Sequence, residues 1–200
     1  MFHPESSREP PLSFTIRVNE KSFVIEDGES HQLKGIWESP TVECSLNSFR
    51  QFQFANIRFR YPQQFRFGFR ETEYGSVWEL RGEFSTLYLW DEYGDSHERL
   101  VHARKNSEID RNSNMIAERL ESVPFGELTL SGTKITSKKI ITFQETESYI
   151  SCTRIEIYDI PCANGTRTIE FQDLGDEDGY SPDYLELIQM IQQTLQVVGE

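Results

Sequence analysis

The chain has 200 residues, and its net charge of −13 argues against general binding to nucleic-acid phosphates, which would repel it. Apolar residues make up only 36%, but 14 phenylalanines and 8 tyrosines supply large side chains for a core. No stretch approaches the ~20 apolar residues that a membrane span needs. We therefore expect one folded domain that has neither nucleic acid nor a membrane as its partner.

The cysteines and the start of the chain predict a cellular environment. Cys44, Cys152 and Cys162 form no CxxC or other metal-binding spacing. Their odd number, together with a start that lacks a secretory apolar region, predicts a reduced, cytoplasmic environment. Residues 1–11 are polar and rich in proline, so we predict a disordered lead-in there.

The first fifty residues are predicted to form a small β-meander. Residues 13–18 and 21–26 alternate in polarity and flank Asn19-Glu20, a pattern typical of a hairpin. Residues 41–46 form a further short strand. We therefore predict a β extension at 12–50 that precedes a main domain at 51–200.

The next segment is aromatic, and its alternation changes register. Phe52 and Phe54 occupy even-numbered positions, whereas the large apolar residues from Ile57 onward occupy odd-numbered positions. A strand cannot change its buried face without an extra residue. We therefore predict a bulge, or a break between two strands, near Ala55.

The rest of the chain is predicted to combine strands with helices. Residues 92–110 are polar and are predicted as a surface loop with some helix. Residues 112–123 are predicted to form a helix, because Ile116, Leu120 and Val123 would line one helical face. Antiparallel strands are predicted at 76–82, 85–91, 127–136, 138–144, 148–158 and 166–173.

A final helix is predicted at 181–198. Ser181 is a suitable N-cap, Pro182 suits the first helical position, and Asp183 complements the helix dipole. Strands and helices that each have one apolar face predict an α+β domain, in which an antiparallel sheet is covered by packed helices. The stripe of the last helix that would face this sheet consists of Tyr184, Ile188, Ile191, Leu195 and Val198.

The order of these elements resembles the PsbP/Mog1-like family over residues 52–198. A strand ending in Ile57-Arg-Phe-Arg-Tyr-Pro62 opens the unit, a hairpin and a helix follow, and Tyr180-Ser-Pro-Asp-Tyr184 begins the last helix. The resemblance implies a three-layer α/β/α sandwich. It implies no particular chemistry, because family members include a photosystem subunit, a partner of a small nuclear GTPase and secretion-associated chaperones.

Sequence-local motifs for catalysis or phosphate binding are missing. The chain has neither a Gly-x-Ser-x-Gly elbow nor a glycine-rich phosphate loop. His3 lies in the lead-in and His31 in a turn, while His97 and His102 are five positions apart, a spacing that turns them away from each other on a helix. We therefore predict that His97 and His102 are exposed, that no cofactor is bound and that the protein is not an enzyme.

The acidic segment 173–180 does not match a calcium-binding EF-hand loop. With Gly179 at the sixth position of that loop, Leu174 and Leu185 would fall on positions one and twelve, and neither supplies a carboxylate oxygen. The EF-hand is therefore excluded and no metal site is predicted, although an irregular cation site within 173–183 stays open.

Arginines are concentrated in residues 50–70, which hold no acid. Arg58, Arg60, Arg66 and Arg70 are therefore the candidate residues for binding a protein partner or a second copy of the chain. Stacking on nucleic-acid bases is not expected, since arginines and aromatics of an alternating strand point to opposite faces. The leading hypothesis is a non-catalytic protein-interaction or adaptor protein.

Two alternatives belong to other functional classes. The first is a module for small ligands or lipids, with a pocket between the sheet and the predicted 112–123 helix. The second is an enzyme without a sequence-local motif, in which Cys152 or Cys162 would lie near His97 or His102. A concave pocket in the folded protein would favour the first alternative.

Overall fold

The computed structural model describes residues 7–30, 32, 40–92, 96–110, 114–143, 147–163 and 165–198. Within these ranges the protein is mostly β, with 62% strand and 15% helix. The elements in chain order are β1 (Ser13–Val18), β2 (Lys21–Glu26), β3 (Val42–Leu46), β4 (Phe49–Phe54), β5 (Ile57–Pro62), β6 (Arg66–Thr72), β7 (Gly75–Arg81), β8 (Ser85–Glu92), α1 (Ser96–Asp110), β9 (Asn114–Phe125), β10 (Leu128–Phe143), β11 (Glu147–Cys162), β12 (Gly165–Gly175), α2 (Pro182–Thr194) and β13 (Gln196–Val197).

The extension is a three-stranded antiparallel sheet in the order β2-β1-β3. β1 and β2 form the predicted hairpin, in which Asn19 adopts the left-handed conformation (φ 53°) of a tight turn. The described part of the lead-in contacts the main domain, because Arg50 Nη1 donates to the carbonyl of Pro10 at 2.7 Å. The predicted disorder at residues 1–6, His3 and His31 fall outside the described residues.

A second, smaller sheet has the order β13-β5-β4. The predicted change of alternation is a break between two strands, since β4 and β5 are joined by a tight turn in which Ala55 has φ 48°. This turn lets the apolar residues of both strands point the same way. Phe52 and Phe59 stack with their ring centroids 4.8 Å apart.

The third sheet has seven antiparallel strands in the order β6-β7-β8-β12-β11-β10-β9. The small sheet and α2 pack on one side, which we call the inner face, and α1 packs on the other, the outer face. The inner face carries the main core, in which nine of the nineteen buried residues are aromatic. Its buried members include Phe52, Ile57, Phe59, Tyr61, Phe65, Trp78, Leu87, Leu89, Phe125, Tyr158, Phe171, Tyr184, Leu187 and Ile191.

The outer face carries a smaller core under α1. Among the α1 residues whose side chains are described, only Leu100 is fully buried, and the helix has almost no apolar stripe of its own. An amphipathic stripe is what normally attaches a helix to a sheet, so polar contacts must supply much of the attachment here. The buried members of this outer core are Val77, Trp90, Leu100, Ile135, Ile155 and Ile157.

Glu170 of β12 provides the strongest of these polar contacts. Its fully buried carboxylate accepts hydrogen bonds from Arg104 Nε at 2.6 Å and from Arg104 Nη2 at 3.1 Å. Trp90 Nε1 and the amide of Gln172 donate to the same carboxylate. A two-pronged arginine contact in a buried setting is stronger than a neutral hydrogen bond, so it ties α1 to the middle of the sheet.

The predicted fold class, an α+β domain built as a three-layer α/β/α sandwich, is wrong. The described residues contain two helices and three antiparallel sheets, and β4 and β5 share the inner layer with α2. The protein is therefore a mostly β structure in which a large sheet is covered by one helix on the outer face.

The main error concerns the predicted helix at 112–123, whose described residues belong to strand β9. Ile116, Leu120 and Val123 have helical spacing, and the charged residues between them favour helices. β10 offers this segment an antiparallel partner along most of its length, and strand pairing overrides local propensity. Because β9 is an edge strand, its charges face solvent and Ile116 stays 70% exposed.

The other predicted elements are confirmed with shifted bounds. The polar segment 92–110 contains α1, and the last helix ends at Thr194, so Leu195 and Val198 of the predicted stripe lie beyond it. The predicted strands at 41–46, 76–82, 85–91, 148–158 and 166–173 are β3, β7, β8, β11 and β12, while 127–136 and 138–144 are one continuous strand, β10.

The start of α2 is fastened to the turn between β7 and β8. Ser181 is the N-cap, as predicted, and its hydroxyl accepts a hydrogen bond from the backbone N–H of Tyr184 at 3.4 Å. The Asp183 carboxylate accepts from the backbone N–H groups of Phe84 and Ser85 at 3.0 and 3.1 Å. Partial burial opposes ionisation of Asp183, but these hydrogen bonds and those from Ser181 and the Ser85 hydroxyl outweigh it and lower its pKa.

We predict that Glu170→Ala loosens α1. The substitution leaves Arg104 and the indole N–H of Trp90 without their acceptor, so the free energy of unfolding should fall by about 3 kcal/mol. Amide hydrogen exchange of α1 should accelerate more than that of α2. Glu83→Ala, in an exposed turn, is the control and should change stability by less than about 0.5 kcal/mol. Unchanged exchange in α1 of the Glu170 variant would contradict this role.

Asp183 should make stability depend on pH. Because its folded-state pKa is lowered, its contribution is present above its unfolded pKa, near 4, and disappears as the pH falls through the folded value. Asp183→Asn should therefore cost about 1 kcal/mol at neutral pH, a figure reduced for its partial exposure. Urea unfolding at several pH values should show the two proteins converging below about pH 4. A deficit of constant size down to low pH would disprove the assignment.

Candidate functional site

The four arginines singled out by the sequence form two pairs on different faces. Arg58 and Arg60 lie on the side of β5 that is turned away from the core. Arg66 and Arg70 lie on the outer face of β6, where the Arg70 guanidinium is 5.8 Å from the centroid of the Trp90 ring. The structure therefore does not bring all four arginines to one surface.

The thiols and imidazoles are separated by the large sheet. Cys152 and Cys162 alternate with the outer residues of β11 and so belong to the inner face, whereas His97 and His102 are on α1. All three cysteines are free. Within the described residues no thiol contacts an imidazole, so the geometry gives no support to a Cys–His pair.

An arginine fills the acidic segment 173–180. The Arg154 guanidinium lies 3.0 Å from a carboxylate oxygen of Asp173 and donates to the carbonyls of Asp176 and Gly179 at 2.9 and 2.7 Å. These are the oxygens that a cation bound within this turn would use. No group of three metal-ligating side chains is assembled anywhere in the described ranges.

A second polar cluster lies inside the main core. The buried Glu156 carboxylate accepts hydrogen bonds from the hydroxyls of Tyr158 at 2.7 Å and Tyr180 at 2.9 Å. Burial, and secondarily the charge of Glu156, raise the pKa of Tyr158 and Tyr184 far above the usual value for tyrosine. The Tyr158 hydroxyl therefore stays protonated at physiological pH and donates to Glu156 within the core.

A cleft of about 590 Å³ runs along α1 on the outer face. One wall is the side of α1 that faces the edge strand β9, and the floor consists of β9, β10 and β11. The lining is predominantly polar, and it includes imidazole, carboxylate, ammonium and hydroxyl groups. The lining residues are His97, Glu98, Val101, His102, Lys105, Ala117, Glu118, Arg119, Ser131, Gly132, Thr133 and Asp159.

His97 is fixed at one end of this cleft. Its Nε2 is 3.1 Å from Thr133 Oγ1, and its Nδ1 is 3.2 Å from Asp159 Oδ2. With the proton on Nδ1, facing the carboxylate, Nε2 accepts the hydrogen bond of the threonine hydroxyl. The prediction that His97 is exposed is wrong, since 15% of its side chain is accessible, whereas His102 is exposed as predicted.

The strand beside the cleft departs from regular geometry. Between the pairs Leu130–Val123 and Gly132–Leu120 the register shifts, so Glu121 and Ser122 of β9 face a single residue of β10. Ser122 adopts a left-handed conformation with φ 58°, which costs a residue with a side chain about 1 kcal/mol or more. Bulges of this kind are frequent next to binding sites because they redirect side chains.

Small residues give the cleft its depth and fix its floor. Ala117 and Ser131 occupy positions where larger side chains would fill the space next to α1. Gly132 has to be glycine, because a Cβ there would lie 2.6 Å from Cδ1 of the buried Tyr158 ring. The packing of the inner face therefore determines where β10 presents Thr133 to the cleft on the outer face.

Opposite charges lie at the two ends of the cleft. Asp159, partly exposed, lies at the His97 end, while Lys105 follows His97 by eight positions, about 12 Å along the helix at 1.5 Å per residue. Lys105 forms no ion pair with any described residue, whereas Arg119 pairs with Glu121 at 3.3 Å. The cleft can therefore offer a free ammonium group at one end and a carboxylate at the other.

Sequence reasoning did not find this cleft, although one signal was available. Asp159 continues the alternation of Ile155 and Ile157 on β11, so a carboxylate falls on a face that is otherwise apolar. The position of His97 opposite Asp159 depends on where α1 docks. Thr133 carries no sequence signal of its own.

The chain matches no protein-family model, no curated protein and no solved structure. The resemblance to the PsbP/Mog1-like family therefore stays a prediction. Neither of the two helices within the described ranges is long and apolar enough to cross a bilayer.

The two histidines of α1 should differ in their effect on stability. His97→Ala removes the contacts to Thr133 and Asp159, so we expect the free energy of unfolding to fall by about 1–2 kcal/mol. His102→Ala, which removes only an exposed contact to Asn106, is the matched control and should cost less than about 0.5 kcal/mol. Chemical denaturation measures both. Equal effects of the two substitutions would contradict the geometry at the His97 end of the cleft.

Proposed function

We propose that this protein is a non-catalytic binding protein that takes a small polar ligand in the cleft beside α1. The observation that carries the proposal is the cleft itself. Its volume of about 590 Å³ falls within the ~300–1,000 Å³ typical of ligand sites. It lies between the sheet and a helix, as in the ligand-module alternative, although the helix is α1 and not the predicted 112–123 segment.

The chemistry of the lining indicates the class of ligand. Most ligand sites are largely apolar with a few polar groups, whereas polar side chains predominate in this cleft. A lipid tail is therefore a poor fit. A small dipolar molecule fits better, with a carboxylate near Lys105 and an amine or hydroxyl donor near Asp159. The helical rise of about 12 Å between His97, which contacts Asp159, and Lys105 suits a molecule of dipeptide size, given the reach of the lysine side chain.

Both sides of the cleft are held in place before a ligand arrives. α1 is attached through Arg104 and the buried Glu170, and His97 is fixed between Thr133 and Asp159. Groups that are already positioned lose little conformational entropy on binding, which strengthens the interaction with a given set of contacts. This rigidity supports a binding role for the cleft.

The side chains of Thr133, His97 and Asp159 are arranged in the order hydroxyl, imidazole and carboxylate, which is also found in nucleophilic catalysis. In that chemistry an aligned hydrogen bond between the ring and the carboxylate orients the imidazole. Here Nδ1 and Oδ2 are close, but the contact lacks the alignment of a hydrogen bond. We therefore assign these groups to positioning and ligand contact.

The ligand proposal is tested by a binding panel on the intact chain. Isothermal calorimetry with glycylglycine, succinate and a neutral disaccharide should show binding of the dipeptide and little heat from the disaccharide. Lys105→Ala and Asp159→Asn should each weaken dipeptide binding about tenfold, because each removes one charged contact. Lys139→Ala, an exposed lysine elsewhere on β10, is the matched control and should bind as the parent protein does.

Two results would overturn the proposal. One is a panel in which no compound binds the parent protein. The other is dipeptide binding that Lys105→Ala and Asp159→Asn leave unchanged, since the ligand would then occupy another site. Thermal unfolding of each variant shows whether it is folded before its binding is compared.

A further inference from the structure

The solvent-facing side of the small sheet carries two arginines that form no ion pair with a described residue. β4 and β5 alternate, so the residues opposite the core are on this surface, and the register places Gln53, Arg58 and Gln196 in one row. Gln51 and Arg60 form the neighbouring row. We call this surface, composed of Gln51, Gln53, Arg58, Arg60 and Gln196, the arginine face.

Both guanidinium groups of the arginine face are held by neutral groups. Arg58 donates from Nε and Nη2 to the Gln53 side-chain oxygen at 3.2 and 3.0 Å. The Arg60 guanidinium lies 4.4 Å from the centroid of the Phe49 ring. Neither group forms an ion pair with a described carboxylate. The two charges are therefore positioned and still available to a partner.

Arg58 and Arg60 differ in this respect from the seven arginines that pair with described acids. The net charge is −13, so acids greatly outnumber bases and most cations can find a partner. Glu26 of β2 is close enough for the charge of Arg58 to affect its pKa, yet burial and Glu29 prevail and that pKa is raised. The arginines that do pair with acids are Arg17, Arg50, Arg81, Arg104, Arg119, Arg154 and Arg167.

We infer that the arginine face binds an acidic, extended segment of a partner polypeptide. Arg58 and Arg60 are two positions apart on one strand, so their Cα atoms are about 6.7 Å apart. An extended peptide with an acid at every second position presents its carboxylates at the same spacing. Each arginine can bind a carboxylate with two parallel hydrogen bonds, and the glutamine amides supply further donors.

A nucleic acid is a less suitable occupant than an acidic peptide. Double-stranded DNA carries about one charge per 1.7 Å, so it would bring many phosphates close to the acids of this strongly negative chain. A short peptide has few charges, and at physiological ionic strength the repulsion from distant acids is screened beyond about 8 Å. The local attraction of the two arginines can then prevail.

Fluorescence anisotropy on the full chain tests this inference, with a labelled peptide that alternates glutamate and serine as the probe. The parent protein should bind it, and Arg58→Gln with Arg60→Gln should weaken binding about tenfold or more. Arg66→Gln is the matched control, because it removes the same charge from the opposite side of the molecule, and it should change binding less than about twofold. Reversing both charges, Arg58→Glu with Arg60→Glu, should abolish binding.

Three outcomes would overturn the inference: no binding of the glutamate peptide, an equal loss with Arg66→Gln, or tighter binding of a single-stranded oligonucleotide of the same charge. Circular dichroism confirms that each variant is folded, and the glutamine double variant removes charge without introducing an acid. The ligand proposal for the cleft is independent of this surface. Lys105→Ala should therefore leave peptide binding unchanged, so that either proposal can fail alone.

Discussion

Glu170 lies in the middle of the seven-stranded sheet, and its buried carboxylate accepts hydrogen bonds from Arg104, Trp90 and Gln172. α1 has too few apolar residues to attach itself to the sheet by hydrophobic burial alone. A buried charge with donors around it is stable, whereas the same charge without Arg104 would be very costly. The helix position, and with it one wall of the cleft, therefore follows from this ion pair.

The two faces of the large sheet have different roles in the protein. The inner face is covered by α2 and by β4 and β5, and its core of aromatic and aliphatic side chains supplies most of the stabilising burial. The outer face is covered only in part, which leaves room for the cleft next to α1. Stability and the proposed ligand binding are thus largely separated. They meet at Gly132, where the Tyr158 ring behind the strand fixes the position of Thr133 in front of it.

The arginines also divide into two groups, those inside the fold and those at the surface. Arg154 and Arg104 are internal cations, one holding the turn that follows β12 and the other holding α1. Arg58 and Arg60 lie at the surface and contact neutral groups only. A sequence can show that arginines cluster in a short segment, but strand alternation and the turn at Ala55 determine which of them share a face.

The sequence by itself determined the elements whose signals are local. These are the first hairpin, the break near Ala55, the strands on either side of Gly82, and the capped start of α2 at Ser181, because turn chemistry and alternation act over a few residues. Only the tertiary structure decided that Ile116 belongs to an edge strand, since pairing with β10 outweighs helix propensity. The tertiary structure also determined the existence of the cleft, because residues distant in the chain meet there only after α1 has docked on Glu170.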